Sequence, residues 1–345
     1  MKQNAVRVFA GLCAGAALLA CATAQAQTPE EFYKGKTVTM VVGAGTGGGY
    51  DTIARVVVRH LAGHIPGKPT VIVQNMPGAG GLRAPNYLYS VAEKTGLTIG
   101  LIQFSMPFEP MIGNKNAKFD PRKFGWLGSP NVETGVLAVW HTAPAVTLDD
   151  LRKKEITVGV EAIASNPALS ARMLMETLGI KLRLVAGYKG SNAVMLAMET
   201  GEVASFPHVY NSLMSTRGHW VRDRKVLTPV KWGPYNEPGL PGVPYAQDIV
   251  TDPVKKAVLQ GVSAALALGR PFIAPPGLPA DRLKALQRAF ADTFADKAFA
   301  EDTKKIGFTA LQPQTGEALE KVVRETYDMP QNVKDILRYV YTGVK

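Results

Sequence analysis

Apolar and polar positions change their period several times along this chain, and each change marks an element. Residues 37–42 (TVTMVV) form a short apolar run; GAGTGGGYD follows at 43–51, and then TIARVVVRHL, in which apolar positions recur every three to four residues. The run predicts a strand, the glycines a turn and the periodic stretch a helix over 51–61. The design then repeats: a strand at 70–75 (TVIVQN), the loop MPGAGG at 76–81, a helix over 81–91 and a third strand at 97–102 (LTIGLI). Such a βαβαβ series builds a parallel sheet with helices on its faces. A second series runs through a strand at 156–160 (ITVGV), a helix at 166–178, a strand at 182–187 (LRLVAG), a helix at 192–201 and a strand at 203–206. Near the end, Leu283, Leu286, Phe290 and Phe294 recur at helical spacing after Pro279-Ala280-Asp281, and 318–327 and 332–341 also read as helices.

Both glycine loops directly follow a strand, and in open parallel sheets the ligand lies beyond the carboxyl ends of the strands. Glycine turns expose backbone N–H groups without a shielding Cβ, and a helix N-terminus adds about half a positive charge. The pattern predicts a place that holds an anion, a carboxylate or a phosphate. Gly43, Gly45 and Gly48 also satisfy G-x-G-x-x-G, the dinucleotide fingerprint. Against that reading, Gln74 and Asn75 stand where a ribose-binding acid belongs. The Walker-type loop fails because no Lys-Ser/Thr follows the glycines.

The N-terminus changes the picture of where this happens. Lys2 and Arg7, an apolar stretch over 8–22 and Ala24-Gln25-Ala26 have the form of a secretory signal peptide over residues 1–26. Leu18-Leu19-Ala20-Cys21 also resembles a lipobox, in which Cys21 would be lipidated; soluble export and lipid anchoring both place the mature chain outside the cytoplasm. The sequence has two cysteines, Cys13 and Cys21, and both lie in this segment, so disulfide and thiol chemistry are excluded from the rest. Taking Lys2 and Arg7 from the formal +11 leaves +9. That surplus suits acidic small molecules; basic residues come as short pairs such as Lys153-Lys154 and Lys304-Lys305, without the long run or basic-aromatic groove of a nucleic-acid binder. After residue 26 no apolar stretch approaches the roughly 18 to 20 residues needed to span a bilayer.

Signatures of catalysis are thin. G-x-S-x-G and H-E-x-x-H are both absent. His60 and His64 are spaced i, i+4 but lack a third metal ligand, and they read as a helix C-terminal pair suited to the dipole. Asp51 lies in the first helical turn, where a carboxylate meets orphan N–H groups and shapes the loop; facing an anion, it would repel it. The expectation is capture without chemistry, with neither metal nor cofactor.

Four segments, GAGTGGGYD, QNMPGAGG at 74–81, YKGS at 188–191 and PPGLPADRL at 275–283, together resemble the extracytoplasmic substrate-binding proteins of the tripartite tricarboxylate transporters, the Bug family. The resemblance runs over essentially the whole mature chain. It implies an α/β, two-lobed periplasmic-binding-protein fold of type II character, each lobe a mostly parallel sheet flanked by helices, with the ligand cleft between them. Residues 28–138 with 267–345 would form one lobe and 139–266 the other, hinged near 136–141 and 264–272. The implied ligand is a small carboxylate, a di- or tricarboxylate or an aromatic acid, passed by a monomeric receptor to membrane permease subunits. A receptor that presents the acid to a sensor, and an exported enzyme acting on an organic acid, are the alternatives.

The resemblance also implies site positions. Thr46, Gly47 and Gly48 from the first loop, with Ala79, Gly80 and Gly81 from the second, would hold one carboxylate; Asp51 matches the acid after the first loop. Ser165, Lys189, Gly190 and Ser191 would face the other end, although Ser191 also suits a turn or helix cap. Tyr50 and Tyr210 offer an aromatic wall or hydroxyl donors. Two positions depart from the family pattern. Ser165-Asn166-Pro167-Ala168 lacks the His of a Ser-x-x-His pattern, and Phe206-Pro207-His208 has an imidazole where many members carry an acid. The change at His208 predicts a less negative wall, suited to a more anionic or an acceptor-rich ligand, if His208 is a contact rather than a structural residue.

Overall fold

In the computed structural model, residues 27–342 are described apart from 164, 309 and 310. The expected signal peptide and Cys21 lie outside them. Among the described residues the chain forms two six-stranded sheets. The first has the order β12-β4-β11-β3-β1-β2, from β1 (Thr37–Val42), β2 (Thr70–Asn75), β3 (Thr98–Leu101), β4 (Gly125–Ser129), β11 (Phe272–Ala274) and β12 (Gln314–Thr315). The second runs β10-β5-β8-β6-β7, from β5 (Gly135–Trp140), β6 (Ile156–Val160), β7 (Leu182–Ala186), β8 (Ser205–Val209) and β10 (Lys231–Trp232), with β9 (Val226–Leu227) paired to β5.

The parallel pairs are those of the two βαβ series: β1 with β2 and β3, and β6 with β7 and β8. Each sheet is nevertheless mixed. Strands β11 and β12 join the first sheet antiparallel, and β5, with β10 and β9 beside it, joins the second antiparallel. All are short or lie beside a chain crossing, where little periodicity can build up.

Burial explains the register. In the central strand β1, Val38, Met40, Val41 and Val42 are fully buried, as expected where helices cover both faces. The helix Gly49–His64 presses Ile53, Ala54, Val57 and Leu61 onto it. Edge strand β2 alternates, leaving Ile72 47% exposed. Because Val42 pairs with Asn75, the two glycine loops leave the sheet side by side at one end.

The chain passes to the second sheet between Ser129 and Gly135, ahead of the expected 136–141, so 135–138 belong to β5 rather than to the first lobe. It returns between Ala267 and Phe272. The two crossings touch: Arg270 N–H donates to Ser129 Oγ at 2.8 Å, Glu133 N–H to the Leu266 carbonyl at 3.1 Å, and a Cβ on Gly269 (φ +62) would stand 1.7 Å from the Asn131 oxygen. The last helix, Gln331–Thr342, expected with the first lobe, packs on helices Asn166–Leu178 and Pro253–Ala267. Its Leu337 fills the space over the bare backbone of Gly261, and Arg172 Nε donates to the Val340 carbonyl at 2.7 Å. Its apolar face needs a partner, and that glycine supplies a flat one.

Candidate functional site

The first glycine loop is held from three directions. Asp51, 2% exposed, accepts the Gly47 N–H at 2.8 Å and Arg55 Nε at 3.0 Å through Oδ2. Burial by itself would raise its pKa, but the hydrogen bonds from Arg55, Gly47 and Asn75 outweigh it and hold the carboxyl below its usual value. Asn75 Nδ2 donates to the Ala44 carbonyl at 3.1 Å, and Gln103 Nε2 to that of Gly43 at 3.2 Å. Asp51 is thus turned back into the loop.

The second loop is built from consecutive residues with positive φ: Gly78 (+130), Ala79 (+49), Gly80 (+66) and Gly81 (+107). Two bonds close it, Gly81 N–H to the Gly78 carbonyl and Leu82 N–H to that of Ala79. Gln103 also packs under it, since a Cβ on Gly81 would be 2.9 Å from its amide. One side chain therefore braces both loops. In the sequence Gln103 follows β3 with no motif around it, and only the strand order brings it here.

Across the cleft stand the residues that follow β6 and β7. A Cβ on Gly45 would be 3.2 Å from the Lys189 carbonyl oxygen, one on Gly47 2.6 Å from Asn192 Nδ2 and one on Gly48 2.7 Å from Ser191 Oγ. Gly49 meets Ser212 more tightly still, at 1.9 Å from its Oγ. Of these glycines Gly47 alone has positive φ, so the other three are needed for close approach between the lobes.

Two connected spaces remain. An outer cleft of about 410 Å³ lies between Ala79, Gly80 and Gly81 on one wall and Glu161, Lys189 and Gly190 on the other. An inner cavity of about 60 Å³ continues inward past Gly48, Tyr50, Ser191 and His208. Thr46, Gly47, Asp51 and Ser165 line neither. Ser165 is fully buried and its hydroxyl donates to the Ala162 carbonyl at 2.7 Å; Asn166 and Ser170 from the following helix face the inner cavity instead. The cap of the helix Ser191–Glu199 is Gly190, which leaves the Ser191 hydroxyl free of a capping role.

Both tyrosine hydroxyls are engaged within the protein. Tyr50 Oη accepts the Phe104 N–H at 3.2 Å, and Tyr210 Oη donates to the Gly239 carbonyl at 3.2 Å, away from the cavity. His208 stacks on Phe206, centroids 4.6 Å apart, with its buried Nε2 unpartnered. Burial, aided by nearby Arg270, pushes its pKa down to about 3, so it is a neutral imidazole at physiological pH. Trp232 Nε1 and Asn166 Oδ1 are also buried without partners at this cavity. Glu161, which lines both spaces, has its pKa pushed up to about 7 by burial. It follows β6 directly, and no signature in the sequence singled it out.

His60 and His64 lie elsewhere, with Nε2 atoms 3.0 Å and 3.2 Å from carboxylates of Asp302 and Asp296. Asp302 is shared with Arg59 and Lys305, so the two histidines sit in separate surface ion-pair groups, and no cluster of three or more metal-ligating side chains occurs among the described residues.

Two sheets joined by adjacent crossings, closed on a cleft at the carboxyl ends of their parallel strands, define a two-lobed binding protein. The chain belongs to the tripartite tricarboxylate transporter family receptors, whose family profile matches residues 53–336. These proteins are solute receptors rather than enzymes. Among solved structures it is similar to the periplasmic binding protein BugD, with a TM-score of 0.71 and 21% identity over 89% of this chain and 98% of that one. It is also similar to MatC from Rhodopseudomonas palustris with bound malate, with a TM-score of 0.68 and 18% identity over 88% and 99%. A Cupriavidus necator relative, "UPF0065 protein in gbd 5'region", is 26% identical over 256 residues, 72% of this chain and 75% of its own.

Proposed function

We propose that this chain is a periplasmic receptor that captures a small organic carboxylate between its lobes and delivers it to the permease of a tripartite tricarboxylate-type transporter. The observation that carries the reading is the pairing of two glycine-rich loops at one end of the first sheet, facing the YKGS turn across a cleft of about 410 Å³. Backbone N–H groups and the N-terminus of helix Gly49–His64 offer fixed donors and partial positive charge, which suit a carboxylate without a buried cation. MatC was solved with malate and another Rhodopseudomonas palustris neighbour with adipate, both dicarboxylates.

Closure follows from the same contacts. A ligand touching both walls favours the closed arrangement only by its differential affinity for that state. The hinges of this reading are the crossings at 130–134 and 268–271. Both walls come from one chain, so a monomer suffices.

The test is a thermal-shift screen of residues 27–345 against mono-, di- and tricarboxylates, followed by recovery of the ligand. A binder at about 100 times its Kd adds roughly 2.7 kcal/mol of apparent stability. Gly80→Val, which places a branched side chain at φ +66 in the second loop, should abolish the shift. If no carboxylate stabilises the protein, or the ligand returns chemically altered, the reading fails.

A further inference from the structure

We infer that Glu161 selects, from among carboxylate ligands, those whose second end is a hydrogen-bond donor or a cation, and disfavours α,ω-dicarboxylates. This rests on the carboxylate reading above and narrows it. The imidazole at His208 on its own suits a more anionic or an acceptor-rich ligand, but the fold brings an acid to the same wall from a different strand end.

Glu161 lines both the outer cleft, across from Gly80 and Gly81, and the inner cavity, whose lining includes His208. A ligand carboxylate held by the glycine loops therefore directs its other end toward a side chain that is itself a carboxylate. No described residue supplies Glu161 with a hydrogen bond or an ion pair, and its shift comes from burial with no basic group opposing it. An acid left without a counter-charge at the throat of a binding cleft repels a second anion and accepts from an O–H or N–H group.

The neighbours do not change this sign. His208 is neutral. Tyr50 faces Glu161 from the start of its helix as an un-ionised phenol, because burial raises its pKa. Tyr188 Oη is committed to Glu202 at 2.6 Å. Arg270, behind Tyr50, is paired with Glu133, and exposed Lys189 is the remaining cation on the outer cleft. The unpartnered Trp232 Nε1 and Asn166 Oδ1 offer one donor and one acceptor deeper in, which fits a hydroxyl terminus, donor and acceptor at once, better than a second carboxylate, which can only accept.

The experiment compares three series of unbranched acids of four to eight carbons: ω-amino acids, ω-hydroxy acids and α,ω-dicarboxylates, titrated calorimetrically at pH 8. The wild-type chain should bind the best ω-amino or ω-hydroxy acid at least tenfold more tightly than the dicarboxylate of equal length. Glu161→Gln should reduce that ratio at least tenfold, weakening the ω-amino acid and strengthening the dicarboxylate. Independently of any variant, dicarboxylate affinity of the wild type should rise between pH 8 and pH 6 as Glu161 takes up a proton, while the ω-amino acid weakens. The inference is overturned if dicarboxylates bind as tightly as the other series at pH 8, or if Glu161→Gln leaves the ratio unchanged in a folded protein. Failure of all three series to bind instead sinks the carboxylate reading, and this inference with it.

Discussion

Glu133 and Arg270 form a fully buried ion pair at the point where the two crossings between the sheets meet. Arg270 also donates to Ser212 Oγ and lies over the Tyr50 ring at 4.2 Å, so one guanidinium touches a crossing, the first helix of the ligand loop and the second lobe. Removing one member of a buried pair leaves an uncompensated charge, which costs about 3–5 kcal/mol. Glu133→Gln and Arg270→Met should each lower unfolding free energy by roughly that amount in urea melts. The double variant should be less destabilised than the sum, because neither charge is then stranded.

Gly49 and Ser212 set how closely the lobes can approach. A Cβ on Gly49 would stand 1.9 Å from Ser212 Oγ and 2.9 Å from its Cα, and the second of these is backbone that a rotamer change cannot move. Alanine itself favours a helix, so Gly49→Ala should leave the isolated lobe intact and obstruct closure. Ligand affinity should fall by tenfold or more, and small-angle scattering should show the ligand-saturated variant still open. Ser212→Gly added to Gly49→Ala should recover part of the affinity by removing the clashing hydroxyl.

The parallel half of each sheet was legible because its strands are apolar runs bounded by glycine, and both loops were legible because strand, glycines and helix follow one another directly. What escaped were contacts across sequence distance. Gln103 braces both loops, and Glu161 enters the cleft, only because β3 and β6 sit beside β1 and β8 in strand order. Ser165 has the residue type of a contact, yet the nearest acceptor is its own Ala162 carbonyl, and the helix turns Asn166 and Ser170 inward in its place. A glycine run in sequence points to turns and exposed N–H groups; at Gly45, Gly48 and Gly49 the space is taken by the other lobe, which sequence cannot display.

Asp51 should make loop stability depend on acid in a defined direction. Its folded-state carboxyl is held below the usual value, so the stability it contributes is complete above the unfolded carboxylate range and is lost as pH falls through the lower folded value. Asp51→Asn keeps an acceptor for the Gly47 N–H but loses the charge that faces Arg55. Because the Arg55 side chain is half exposed, the loss at pH 7 should be modest, about 1 kcal/mol. The difference between wild type and variant should shrink as pH is lowered from 5 toward 3 in a series of denaturant melts; a gap that stays constant would assign the effect to packing.

The second loop should respond oppositely to two exchanges of a single methyl group. Ala79 carries a Cβ at φ +49, where an L-residue costs roughly 1–2 kcal/mol, and its side chain is exposed, so Ala79→Gly relieves strain and loses little packing. Part of that gain returns to the unfolded chain as added freedom, leaving a net stabilisation of about 0.5 kcal/mol. Gly81→Ala adds the same methyl at φ +107 and drives it to 2.9 Å from the Gln103 amide, which also holds the Gly43 carbonyl. That change should destabilise by about 1–3 kcal/mol and weaken ligand binding together with stability, since both loops lose their common brace. Thermal melts of the two variants, with and without a bound carboxylate, check the opposite signs; equal effects would mean that the run of positive φ carries no strain.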